Sequence, residues 1–216
     1  MAIILFDFDG VLADTLDDLL HFAQKACAQL GLDCSPTPAD LDALETMSFV
    51  DYGHQLHVPA QQIDDFVNIC LKMFNQKPHP PRIFDGMEKV IEEAAKRNIL
   101  AIITGNTTPT VEAFLKQNCL REHIKLIIGV EHKASRPDKI RLALKELSQS
   151  TETVYMVGDA LSDIHAARET GIKSIAVGWG HQSPARLSTA KPDYLVESPQ
   201  ELLDFFNKKR PVLPGL

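Results

Sequence analysis

The chain has 216 residues, 44% hydrophobic and 24% charged, a globular composition with ample apolar side chains for a core, which excludes a disordered chain, a fibre and a disulfide miniprotein. Lys and Arg number 22 against 29 Asp and Glu, a net charge of -7, so nothing draws the chain as a whole to a phosphate backbone and nucleic acid is not an expected partner. Cys27, Cys34, Cys70 and Cys119 form no paired thiol motif and no secretory signal accompanies them; free thiols in a reducing cytoplasm are expected, and no apolar run near the start approaches the roughly 20 residues of a membrane helix.

Ala2-Ile3-Ile4-Leu5-Phe6 is a continuous apolar run of strand length, the pattern of a strand covered on both faces. Helical stripes follow at Leu16, Leu19, Leu20, Ala23, Ala26, Cys27 and Leu30, then at Ile63, Phe66, Val67, Cys70, Leu71 and Phe74. No convincing strand lies between Asp14 and Lys77, so this segment reads as an all-helical insertion. Phe66, Cys70 and Phe74 are expected in its core rather than around a ligand. Pro78-His79-Pro80-Pro81 marks the return, too proline-rich to continue a helix. The expected division is a core of residues 1–13 and 82–216 and a helical cap of residues 14–81.

Beyond the insertion, strand-like runs at Ile99–Ile103, Leu126–Ile128, Thr153–Val157 and Ser174–Val177 alternate with helical stripes. The stripes are Met87, Val90, Ile91, Ala94 and Ala95; Val111, Phe114 and Leu115; and Ile140, Ala143, Leu144 and Leu147. Alternation of strand and helix predicts an α/β fold with a parallel sheet. Residues 208–216 read as a polar tail.

In such a sheet the carboxyl ends of the strands face one crevice, where ligands bind. The first strand runs into Asp7-Phe8-Asp9-Gly10, the second into Thr104-Gly105-Asn106, and the fourth into Gly158-Asp159 with Asp163 four residues on. Asp7 and Asp9 fall on one side of an extended chain, where like charges need a cation or a shared proton. An oxygen-only cluster of this kind suits Mg²⁺ together with a substrate phosphate.

Asp7-Phe8-Asp9-Gly10-Val11-Leu12-Ala13-Asp14-Thr15, Ile103-Thr104-Gly105-Asn106 and Val157-Gly158-Asp159-Ala160-Leu161-Ser162-Asp163 resemble motifs one, two and four of the haloacid dehalogenase superfamily. The likeness runs over nearly the whole chain, and the insertion sits where that family places its helical type-one cap. It implies a Rossmann-like core with helices on both faces of the sheet and phosphatase chemistry. Asp7 is then the nucleophile forming an aspartyl-phosphate, and Asp9 the general acid/base. Asp7, Asp9 through its backbone carbonyl, Asp159 and Asp163 would hold Mg²⁺, and Gly10, Thr104, Gly105 and Asn106 would bind the phosphoryl group. The third motif departs: relatives carry Lys followed by Pro, whereas Glu131-His132-Lys133-Ala134-Ser135-Arg136-Pro137 stands here. Lys133 is taken first as the cation, with Arg136, directly before a Pro-Asp pair, as the alternative.

Asp9 favours phosphate esters, because the dehalogenases of this family lack an acid at that position. A mutase is disfavoured, since Leu19 stands where the phosphoglucomutase branch has His. The segment from Ile172 to Gly180 and Lys191–Val196 resembles phosphoglycolate-phosphatase-like proteins, which makes a small phosphorylated metabolite the expected partner of a cytoplasmic monomer or homodimer. Pyrophosphatase, nucleotidase and mutase are the alternatives within the family, and a non-catalytic binding protein the alternative outside it. Asp14-Thr15 reads as a helix N-cap. Gly178-Trp179-Gly180 lacks the third glycine and the acidic partner of a dinucleotide site. His21, His54, His57 and His123 show no zinc spacing and read as solvated or structural.

Overall fold

The structure, a computed structural model, describes residues 1–77, 80–147 and 153–208. Residues 78–79 of the proline-rich stretch and 209–216 of the tail lie outside the described residues. Strand β1 (Ile3–Phe6) leads into a two-residue strand β2 (Ala13–Asp14). Helices α1 (Leu16–Gln29), α2 (Pro38–Asp42), α3 (Phe49–Gln55) and α4 (Ile63–Asn75) follow, and strand β3 (Arg82–Ile83) returns to pair antiparallel with β2. Thereafter helix and strand alternate: α5 (Met87–Ala95), β4 (Ile99–Ile103), α6 (Thr108–Gln117), β5 (Ile124–Ile128), α7 (Arg136–Leu147) and β6 (Val154–Gly158). The chain continues through α8 (Leu161–Thr170), β7 (Lys173–Val177), α9 (Pro184–Thr189), β8 (Tyr194–Val196) and α10 (Pro199–Lys208).

The six long strands form one parallel sheet in the order β5-β4-β1-β6-β7-β8. The first strand is thus central, with β4 and β5 built outward on one side and β6, β7 and β8 on the other, and the crevice opens where the chain crosses from one half to the other. The continuous apolar run of β1 follows from this position. Ile4 and Phe6 pack into one cluster with α5, α6 and α10, while Ile3 and Leu5 pack into a second with α7 and α8. A strand with helices on both faces has no polar side, and each fully buried Ile or Leu contributes about 1.5–3 kcal/mol.

The inserted helices keep a separate hydrophobic cluster. Phe22, Ala23, Ala26 and Cys27 of α1 meet Tyr52 of α3 and Ile63, Phe66 and Cys70 of α4, so both sequence stripes are spent on each other. All four cysteines are free thiols. No helix among the described residues is long and apolar enough to cross a membrane.

The loop between β7 and α9 holds the segment after α2. Gln182, buried at 1% exposure, accepts from Leu161 N–H at 2.7 Å and donates to the carbonyls of Leu44 at 2.7 Å and Asp42 at 3.2 Å. Ser183 N–H donates to Asp42 Oδ1 at 2.6 Å, and Arg186 reaches Glu45 at 2.6 Å. One amide therefore links the start of α8 to the segment after α2. Gln182→Leu removes all three bonds at once and leaves the buried Leu161 N–H unpaired, while the Leu44 carbonyl keeps only Arg186 at 3.4 Å, so thermal unfolding should show a loss of about 1–3 kcal/mol, or some 2–4 °C per kcal/mol for a chain of this size.

Candidate active site

The polar residues collect at the carboxyl end of the sheet because three central strands end there together. Asp7 follows β1 and donates its N–H to Val157 O at 2.9 Å, which keeps it in register with the end of β6. Asp159 follows β6, and Asp163 lies in the first turn of α8. Asp163 accepts from Ala160 N–H at 3.2 Å and returns its own N–H to Ala160 O at 3.0 Å, a closed turn that sets the carboxylate at a helix N-terminus, where negative charge is favoured. Asp7, Asp159 and Asp163 are 7%, 1% and 1% exposed, and one carboxylate oxygen from each lies within 4.8 Å of the others.

The chain packs tightly against this group. Gly10 adopts φ +73°, and a Cβ there would lie 1.9 Å from Asp159 Oδ2. The backbone conformation and the space both demand glycine.

The third-motif alternatives separate clearly in space. Ser135 caps α7, its Oγ accepting from Asp138 N–H at 3.3 Å, so the helix begins at Arg136 and presents that side chain to the end of β1. Arg136 Nη2 stands 3.0 Å from Asp7 Oδ2 and Nη1 2.6 Å from Asp163 Oδ1. Lys133, taken first from the sequence, is not brought to the cluster. It is exposed and closes the single 3-10 turn of Val130–His132 in a left-handed conformation at φ 45°, on the solvent side of the connection. A second cation was missed: Lys139, 6% exposed, donates from Nζ to Thr104 O at 2.7 Å and steadies the loop after β4.

That loop carries the remaining predicted residues. Thr104 is buried and accepts from Asn106 N–H at 2.9 Å through its hydroxyl, while Asn106 Nδ2 donates to Asp9 Oδ2 at 3.1 Å. Gly105 and Asn106 line a cavity of about 270 Å³ together with Asp7, Asp9, Arg136 and Asp159. Asp9 is not among the three clustered carboxylates; its side chain is held by Asn106.

His181 was also missed. It is 7% exposed; its backbone N–H lies 2.8 Å and its Nδ1 2.9 Å from Asp159 Oδ2, and Nε2 is 3.2 Å from the hydroxyl of Thr15. Thr15 occupies the N-cap position of α1 but caps nothing, and Asp14 belongs to β2. The N-cap expected of Asp14-Thr15 is therefore replaced by a hydroxyl–imidazole contact linking the insertion to the site. Nothing in the local sequence singles out His181, which stands alone in a loop without periodicity. Trp179 beside it donates to Val11 O at 3.2 Å, a structural use for the Gly178-Trp179-Gly180 turn.

The electrostatics are those of a surplus of buried negative charge. Burial, and then the charge of Asp7, push Asp9 up to about 6, which suits a carboxyl group that must hold and release a proton. Burial also raises Asp7 against the pull of Arg136, and raises Asp163 well above the usual carboxylate range. Burial alone would depress the His181 imidazole, but the adjoining Asp159 carboxylate reverses this and holds it above its ordinary value. Four carboxylates facing one guanidinium and one imidazole favour a further cation, and a donor set made only of oxygens is that of a hard divalent ion such as Mg²⁺.

A parallel α/β sheet with an inserted helical unit and a carboxylate cluster at its switch point defines a class of hydrolase. The family description "Haloacid dehalogenase-like hydrolase" matches residues 4–177, and the chain belongs to this family. It is similar to a phosphoglycolate phosphatase of Synechococcus elongatus, at 28% identity over 94% of this chain and 96% of that protein. It is also similar to a pyrophosphatase of Bacillus mycoides, at 25% identity over 95% of this chain and 96% of that protein. A solved haloacid dehalogenase-like hydrolase from Streptococcus pneumoniae superposes with a TM-score of 0.83 at 26% identity, covering 95% of this chain and 98% of that one.

Proposed function

We propose that this hydrolase is a Mg²⁺-dependent phosphatase that releases phosphate from a small phosphomonoester through an aspartyl-phosphate on Asp7. The observation that carries the reading is the buried convergence of Asp7, Asp159 and Asp163 with Arg136. Asp7 attacks phosphorus as the nucleophile, splitting a difficult displacement into two easier ones. Asp9, aligned by Asn106, gives its proton to the departing alkoxide and then takes one from the water that attacks the acyl-phosphate. Arg136 steadies the Asp7 carboxylate and offers charge to the phosphoryl oxygens, and Thr104, Gly105 and Asn106 supply hydrogen-bond donors in the same loop. Asp7, the Asp9 carbonyl, Asp159 and Asp163 would hold Mg²⁺, whose chemistry is to neutralise these carboxylates and the phosphoryl oxygens.

The likeness to a phosphoglycolate phosphatase supports a phosphoglycolate-like substrate, and the likeness to a pyrophosphatase keeps that activity as the second reading. The division into a core of residues 1–13 and 82–216 and a cap of residues 14–81 belongs to the same proposal, supported by the cap's own hydrophobic cluster. So do a cytoplasmic location and a small phosphorylated metabolite as the partner.

Metal dependence has two readouts. EDTA should reduce phosphate release to background and added Mg²⁺ should restore it. Independently of turnover, Mg²⁺ at 100 times its Kd should stabilise the fold by about 2.7 kcal/mol, and Asp159→Ala should abolish that thermal shift. Turnover that persists in EDTA, or a wild-type chain with no Mg²⁺ shift, overturns the metal reading.

A further inference from the structure

The insertion contributes the upper wall of the active-site cavity, and the wall is apolar. Leu41, Leu44, Met47, Phe49 and Phe74 line it. Among the described residues, only two cap residues there carry a side-chain hydrogen-bonding group. Ser48 spends its Oγ on Asp51 at 3.0 and 2.8 Å, as the N-cap of α3. Tyr52 is 1% exposed and its hydroxyl is buried without a hydrogen-bond partner, so it offers no polar group to the cavity.

Among the described lining residues, the side chains able to carry positive charge are Arg136 and His181, both from the core. Both are already committed, Arg136 to Asp7 and Asp163 and His181 to Asp159. Lys77 borders an adjoining cavity and is paired with Asp18. Arg186 is paired with Glu45. A substrate whose far end is a second anion would therefore set that charge against leucine, methionine and phenylalanine, losing its hydration with no counter-charge in return. An apolar ester group would gain by the same burial.

We infer that the cap selects a phosphomonoester whose ester group is uncharged and largely apolar, an alkyl or arylalkyl phosphate. This rests on the phosphatase reading and narrows it away from the dianionic phosphoglycolate and from pyrophosphate. Met47 and Phe49 are its specificity residues. They touch the ester group and leave the phosphoryl transfer to the core.

The test is kcat/KM for phosphate release by the full chain with Mg²⁺, comparing benzyl phosphate, phosphoglycolate and pyrophosphate, with Asp7→Asn as the blank. Benzyl phosphate and phosphoglycolate both expel an alkoxide, so their ratio reports the cap rather than leaving-group chemistry. Benzyl phosphate should lead phosphoglycolate by tenfold or more, in the range that pocket contacts of this size confer. Met47→Lys places a cation in the wall and should reverse or level the ratio by raising phosphoglycolate. Wild-type preference for phosphoglycolate or pyrophosphate overturns the inference and leaves the phosphatase reading standing. Silence on all three substrates overturns both.

Discussion

Asp7→Asn should lower phosphate release by about 10⁴-fold or more, the scale of losing a covalent nucleophile outright. The amide matches the carboxylate in shape, so the contact from Phe8 N–H, 2.7 Å from Asp7 Oδ1, survives, but an amide oxygen does not accept a phosphoryl group as a carboxylate does. Stability should move the other way or not at all. Burial and Asp159 raise the Asp7 carboxyl in the folded protein. An acid raised on folding costs stability above its unfolded value, so at neutral pH its ionised form opposes the fold. Removing that charge lifts the cost, while Arg136 retains Asp163. Without metal the melting temperature of Asp7→Asn should therefore equal or exceed that of the wild type. Lost activity with a lowered melting temperature would mean that Asp7 serves the fold, and retained activity would remove it as the nucleophile.

The strands were legible because a parallel sheet needs no polar face. Runs such as Ile99–Ile103 and Ser174–Val177 coincide with β4 and nearly with β7. The strands that escaped lack that signature. β8 has only Tyr194–Val196 at the sheet edge, where two of its three residues stay partly exposed, and β2 and β3 are two residues each, too short to show a pattern. Site residues next to strand ends were visible for the same reason, since the end of an apolar run announces the first polar residue beyond it.

What could not be read were side chains whose role depends on where a loop returns. His181 and Gln182 stand in a turn far from Asp159 and Leu44 in the chain, and only the fold brings them into contact. Lys139 sits on α7 among apolar neighbours as one more charged residue of an amphipathic helix, yet its ammonium reaches the carbonyl of Thr104. The choice between Lys133 and Arg136 turns on where α7 begins. Ser135 and its pairing with Asp138 settle that locally.

That choice has a consequence large enough to measure. Arg136→Met removes a guanidinium that bridges two buried carboxylates while being only 22% exposed itself. Leaving Asp7 and Asp163 to face each other should cost about 3–5 kcal/mol of stability, the usual penalty for breaking a buried ion pair from one side. Phosphate release should fall by about 10²–10³-fold, as when a preorganised group that stabilises developing charge is lost. Arg136→Lys keeps the charge but replaces a planar fork with a single ammonium, which cannot hold both oxygens in the same geometry; its activity should lie between wild type and Arg136→Met. Lys133→Gln, in an exposed turn, should change stability by no more than about 0.5 kcal/mol and leave the rate intact. Thermal unfolding and steady-state rates on these three variants decide the matter, because a large loss at Lys133 with little at Arg136 would return the cation to the residue that the sequence favoured.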